Sequence, residues 1–169
     1  QGAAMLETRC AWIDHAGGQP LAAVMPVARL AYAQAGTDAE KQNILLAGNF
    51  AHLSSRMAAD KAADAAVKAF AALEVSEQEA VATAFGAAPS EQLTAEHAAM
   101  MEQLSALSGA EFDNMYLQGQ MTGHEQLRAL HAAYAQNGSD PRAQGASIVA
   151  VPAIDSHMSM LRAIQQRLG

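Results

Sequence analysis

The side chains able to do chemistry are few, and most fall on the apolar stripes of helical segments. At ~100° per residue, Val67, Phe70, Val81 and Phe85 share one stripe, and Glu74 and Gln78 lie on it with them. Ile154, Leu161, Ile164 and Leu168 form a second, with His157 at its centre. A third, Phe112, Tyr116, Leu127, Leu130 and Tyr134, has Gly119 and Gly123 between its apolar residues and His124 and His131 along one flank. Carboxylates and imidazoles projecting inward from facing helices are the material of a metal site in a helical bundle. On this reasoning the candidate ligands are His124, His157, Glu74, Gln78 and His52, and the candidate cofactor is a transition-metal ion, which imidazole suits. The competing reading makes single His, Glu and Gln residues on apolar stripes hydrogen-bonded core groups. The usual metal signal, a Glu-x-x-His pair on each of two helices, is missing: Glu74-x-x-Glu77 and Thr94-x-x-His97 are the nearest spacings.

Helices joined by short loops lie antiparallel, so residues equidistant from a loop come level. About Ala63, His52 lies 11 residues before and Glu74 lies 11 after. About Ser139, His124 is 15 before and His157 is 18 after. At ~1.5 Å per residue that mismatch is roughly 4–5 Å, which a kink at Pro152 would absorb. His124 and His131 stand ~10 Å apart along one helix, too far to share an ion. His131 is expected on a solvated flank. His97, among Leu93, Met100, Leu104 and Leu107, is expected half-exposed near a helix start.

Other chemistries find no support. There is no Gly-x-Gly-x-x-Gly, phosphate loop or Gly-x-Ser-x-Gly elbow, and no catalytic residues are assigned. The one cysteine, Cys10, excludes a disulfide framework and a Cys-based zinc site. The nine methionines suit core filling better than soft-metal ligation, because those in the helical segments sit beside leucines. A net charge of −7 with ten Lys and Arg leaves no footprint for nucleic acid. No window approaches the ~18 apolar residues that a membrane-spanning helix needs.

The 169 residues make one domain-sized chain. It is 51% hydrophobic but only 5% aromatic, because 41 residues are alanine. Alanine is the best helix former and a poor strand former, so the chain reads as all-α. Thr37-x-x-Glu40 has capping-box spacing and opens a helix to about Ala62. Asp64 caps a second helix, which Gly86 and Pro89 end, and Thr94 opens a shorter one reaching Leu107. Ser108-x-x-Glu111 is another capping box, and its helix runs to Asn137-Gly138. Asp140-Pro141 follow as N-cap and N1 of the last helix, with a kink or break expected at Pro152. The glycines at 48, 119 and 123 point to close helix contacts. Residues 1–4 read as the remnant of a cleaved expression tag. Residues 5–36, which hold Cys10 and His15, read as an N-terminal helical extension or signal-like segment ending in Ala33-Gln34-Ala35, and 37–169 as the bundle domain.

Several runs together carry a family resemblance: Leu104 to Asp113, Tyr116-Leu117, Gly123-His124-Glu125, Asn137 to Pro141, and, in the first two helices, Phe50 to Ala58 and Val67 to Ala71. They resemble a bacterial exported family of unknown function, often labelled "predicted outer membrane protein". The resemblance spans about residues 37–168. It implies a ferritin-like antiparallel four-helix bundle with a short extra helix between helices 2 and 3, in an exported, periplasmic protein. Members carry a Glu just after the first-helix Phe, an Asp-His pair in the second helix and a His in each of the last two. His124 and His157 match the last two, but Ala51 and Glu77-Gln78 stand at the other positions, and Gly123 where an Asp often precedes the first of these His residues. Glu74, one turn before Gln78, is the substitute carboxylate. A spanning barrel would need ~10-residue alternating segments, and none exist.

The leading functional expectation is a non-enzymatic envelope protein acting by binding or stress protection. The alternatives are a metal- or haem-binding bundle using the inward His and Glu residues, and a structural module that homodimerises through its extension.

Overall fold

The computed structural model describes the backbone of residues 25–169 and the side chains from residue 39 onward. The expected tag remnant, residues 5–24 of the expected extension, and with them Cys10 and His15, lie outside the described residues. Five helices and no strand make up the rest: α1 (Met25–Lys61), α2 (Ala65–Ala84), α3 (Ala95–Ala106), α4 (Gly109–Asn137) and α5 (Pro141–Leu168).

Local signals set most boundaries. Asp64 accepts from the backbone N–H of Ala66 and Val67, and Asp140 from those of Arg142 and Ala143, with Pro141 at N1 where it loses nothing. Thr94 caps α3 through the His97 N–H. At the end of α2, Ala87 N donates to Ala82 O and Gly86 N to Thr83 O, with Gly86 at φ +77°. That is a Schellman ending, which wants glycine because a Cβ is strained at this φ. One expected start fails, and another, at Ser108, holds without its expected cap bond. α1 passes through Thr37–Glu40 from Met25, since the alanine-rich run around Gly36 outweighs the ~1 kcal/mol a mid-helix glycine costs. Ser108 makes no side-chain cap.

Contacts at the helix ends orient the bundle. Lys61 donates to the carbonyls of Leu104 and Ser105, Asp113 accepts from Ala63 N and Asp64 N, and Arg167 pairs with Asp64. At the opposite end Lys41 pairs with Asp140. Thus α1 and α5 run one way and α2 and α4 the other. α1 packs on α2 and α4, α5 packs on both as well, and α3 lies against α4 and α1. α3 carries the chain back along the bundle, so every packed pair of long helices is antiparallel.

The interior holds two apolar clusters and a set of buried polar groups. One apolar cluster includes Val67, Phe70, Phe112, Tyr116, Leu117 and Leu161, and a second includes Ile44, Phe85, Leu127, Tyr134, Ile154 and Met158. Ser54, Ser55, Glu74, Gln120, His124 and His157 are buried without belonging to either. Met57, Met100, Met101, Met115 and Met121 pack against these clusters, as core filling requires. Leu168, by contrast, is exposed.

The expected break at Pro152 is absent, and α5 is continuous. Pro152 is exposed and so is Ile148, whose carbonyl loses its N–H partner. The ring therefore sits on the solvent side, where the missing bond costs least.

Candidate metal centre

Glu74 of α2 is fully buried, and a carboxylate there requires charged or hydrogen-bonding partners. Its Oε2 lies 3.2 Å from His157 Nδ1 and 3.3 Å from His124 Nε2, and those nitrogens lie 3.3 Å apart. Three helices thus contribute one atom each to a nearly equilateral triangle. Phe70 walls it, with ring centroids 5.9 Å from His124 and 5.7 Å from His157.

Antiparallel geometry and the direction of side-chain tilt bring the two imidazoles together. Side chains tilt toward the N-terminus of their own helix. His124 therefore leans away from the α4–α5 turn and His157 leans toward it. These opposite leans close the 4–5 Å offset in height. The same rule separates His52 from Glu74, which lean apart from equal heights. His52 Nε2 instead meets Glu79 Oε1 at 3.2 Å, further from the turn.

Partners outside the triangle assign the ring protons. His124 Nδ1 lies 2.8 Å from the Gln120 carbonyl, which only accepts, so Nδ1 carries the hydrogen and Nε2 a lone pair. His157 Nε2 lies 3.1 Å from Glu77 Oε2, which makes Nε2 the hydrogen-bearing nitrogen and leaves Nδ1 a lone pair in the neutral ring. Glu74 Oε1 accepts from Gln78 Nε2 at 2.8 Å. Three acceptor atoms then face one point, and either a proton or a metal cation satisfies them. The proton's share is visible in the ionisation. Hydrogen bonds to Glu74 and then Glu77 push His157 up to about 9. Burial pushes Glu74 up, but its close contacts with His124 and His157 overcome it and hold the carboxyl at about 2.

Distances decide which ions fit. A tetrahedral ion bound at ~2.0–2.1 Å, as zinc is, separates its ligand atoms by about 3.3–3.4 Å. An octahedral ion at ~2.0–2.1 Å, as magnesium is, separates adjacent ones by about 2.8–3.0 Å. The observed 3.2–3.3 Å edges lie nearer the first. Two imidazoles and one carboxylate also favour a transition metal over magnesium or calcium. The hydrogen bonds of His124 to a carbonyl and of His157 to a carboxylate are what metal-bound histidines ordinarily make.

Residues 26–164 match the family described as Domain of unknown function (DUF4142). The chain belongs to that family. The DUF4142 match begins near the start of α1, inside the stretch 5–36 expected to be an extension. No curated protein and no solved structure matches the chain.

Of the five candidate ligands in this DUF4142 protein, Glu74, His124 and His157 converge and Gln78 braces the carboxylate. His52 stands apart with Glu79. His131 corrects an expectation: far from solvated, it is 2% exposed, with Nδ1 2.9 Å from Ser147 Oγ. Burial pushes it down to about 4. His97 is half-buried as expected and stacks on Phe50. Close approach holds at Gly119, where a Cβ would lie 3.0 Å from Met100 Sδ, but not at Gly123, which faces open space. Sequence reasoning missed the pairing of Glu77 with His157. The available signal was its place three residues after Glu74, hence on a neighbouring helical face.

Proposed function

We propose that this protein is a non-enzymatic metal-binding bundle that holds one transition-metal ion between Glu74, His124 and His157. The observation that carries this reading is the triangle of three lone-pair atoms, 3.2–3.3 Å on each edge, whose ring tautomers are set by partners outside it. Three protein ligands leave a fourth position for water or another small ligand. All three residues are buried, so the reading is binding or sequestration rather than turnover of a substrate. Haem is the poorer fit, because the two imidazole nitrogens lie 3.3 Å apart with no slot for a macrocycle between them.

The helix order supports a ferritin-like four-helix bundle with α3 as its crossover. Export to the periplasm rests on the family resemblance and on Ala33-Gln34-Ala35. Cleavage after Ala35 would leave Thr37–Glu40 at the start of a shortened α1 and give that capping box a use. The intact mass of protein recovered from the periplasm tests this.

The metal reading is tested on protein purified without chelator, then stripped and titrated with Zn(II) or Co(II). About one ion per chain is expected, with tetrahedral Co(II) absorption and loss of both in His157→Ala. Absence of stoichiometric metal, or equal binding by His157→Ala, overturns it.

A further inference from the structure

A buried ion needs a route inward. A small cavity is linked to the centre through Gln78, which lines it and bonds to Glu74. It lies between α1 and α2, is lined by Gly48, Asn49, His52 and Gln78 among others, and has a volume of about 10 Å³. That is about the room one water needs. His52 is buried, and its Nδ1 has no hydrogen-bond partner. Its other nitrogen, Nε2, lies 3.2 Å from Oε1 of Glu79, a side chain 57% exposed to solvent.

Gln78 joins this cavity to the centre. Its Nε2 donates to Glu74 Oε1 at 2.8 Å, while its Oε1 lies against Gly48, where a Cβ would stand only 2.7 Å away. Glycine at 48 therefore makes the space that the amide occupies. From solvent inward the groups run carboxylate (Glu79), imidazole (His52), amide (Gln78), carboxylate (Glu74). Each offers a lone pair to a cation that is shedding water, and none is a fixed positive charge. Asn49 on the cavity wall is already committed, with its Nδ2 donating to Ser90 Oγ and the Gln92 carbonyl and its Oδ1 accepting from Ser90 N.

We infer that the His52–Gln78 cavity is the loading station for a divalent transition-metal ion: Glu79 and His52 take the ion from solvent, and displacement of the Gln78 amide passes it to Glu74. This rests on the metal reading of the Glu74–His124–His157 centre and adds its route of access. A route changes rates without changing end states, so its signature is kinetic.

The test is stopped-flow mixing of stripped protein with Co(II), alongside equilibrium titration. His52→Leu removes the lone pairs while keeping an apolar side chain of similar bulk. It is expected to slow loading and release together by about tenfold, a barrier change of one decade. Glu79→Gln is expected to slow loading about two- to threefold at low salt, as loss of one steering charge does. Ser147→Ala, distant from the route, should load at the wild-type rate, and circular dichroism checks that each variant is folded. Loading by His52→Leu at the wild-type rate overturns the route while leaving the centre intact. A large loss of affinity with unchanged loading also overturns it, since His52 would then be a ligand. If wild-type protein binds no Co(II), the centre itself fails and the route with it.

Discussion

His124 and His131 stand about two turns apart on α4, both buried and both facing α5, yet their surroundings differ. Beside His124, α5 presents His157 and α2 presents a buried carboxylate, Glu74. Beside His131, α5 presents the Ser147 hydroxyl, and Phe85 stands edge-on to the ring. Without a carboxylate in contact, burial dominates and His131 is held down to about 4. With two carboxylates in contact, His157 is pushed up to about 9. Burial of an imidazole is therefore not in itself a sign of function. What separates a core histidine from a candidate ligand is an acceptor whose charge must be neutralised in the interior.

The comparison is most directly broken by removing that acceptor. Glu74→Gln keeps the shape of the side chain and deletes its charge. It is expected to lower metal affinity by at least about 100-fold, and to bring the His157 pKa in stripped protein down from about 9 toward its ordinary value, with Glu77 still in contact, as followed by NMR titration. Wild-type affinity in Glu74→Gln would make the two histidine sites equivalent. Next in size, Glu77→Gln removes the carboxylate behind His157 while leaving all three ligands, and should cost about 10- to 100-fold in affinity.

The other side of the comparison is sharpened by pH. The folded pKa of His131, about 4, lies below the ~6.5 of an unfolded histidine. The unfolded chain therefore binds the proton more tightly. The stability associated with a neutral His131 is complete above about pH 6.5 and is lost as pH falls toward 4. About 2.5 pKa units correspond to on the order of 3 kcal/mol. Urea unfolding at pH 7 and pH 4, with His131→Gln removing the proton site, measures it, and an unchanged pH dependence in that variant would contradict the assignment. His157 has the opposite sign, since its raised pKa contributes stability below about pH 6.5 that disappears as pH rises through 9. Smallest is Ser147→Ala, which leaves His131 Nδ1 unpaired. It should cost about 1–2 kcal/mol in urea unfolding and leave metal affinity unchanged.

Much of the architecture was legible in the chain. Asp64, Thr94 and Asp140 act as the caps their positions suggest, and Gly86 ends α2. The same reasoning misplaced the start of α1, because a cap signal competes with helical propensity on both sides of it and propensity won. It also expected a kink or break at Pro152, and α5 runs through without a break because the proline faces solvent. Of the candidate site, Glu74 and His157 stood out because polar residues on an apolar stripe are conspicuous. His131 was misjudged because a flank position on one helix becomes interior once α5 covers it. His52 was matched to Glu74 by height alone, and the direction of side-chain tilt decided otherwise.

Composition and periodicity determined by themselves that this chain is helical, roughly where its helices lie and which faces turn inward. These depend on local backbone preference and on a repeat of 3.6 residues, both of which are written in consecutive residues. Which inward residues meet is not local. It depends on which helices become neighbours, on their direction and on the angstroms of offset that tilt and reach can close. Only the packed bundle decided that Glu74, His124 and His157 share one point while His52 and His131 do not.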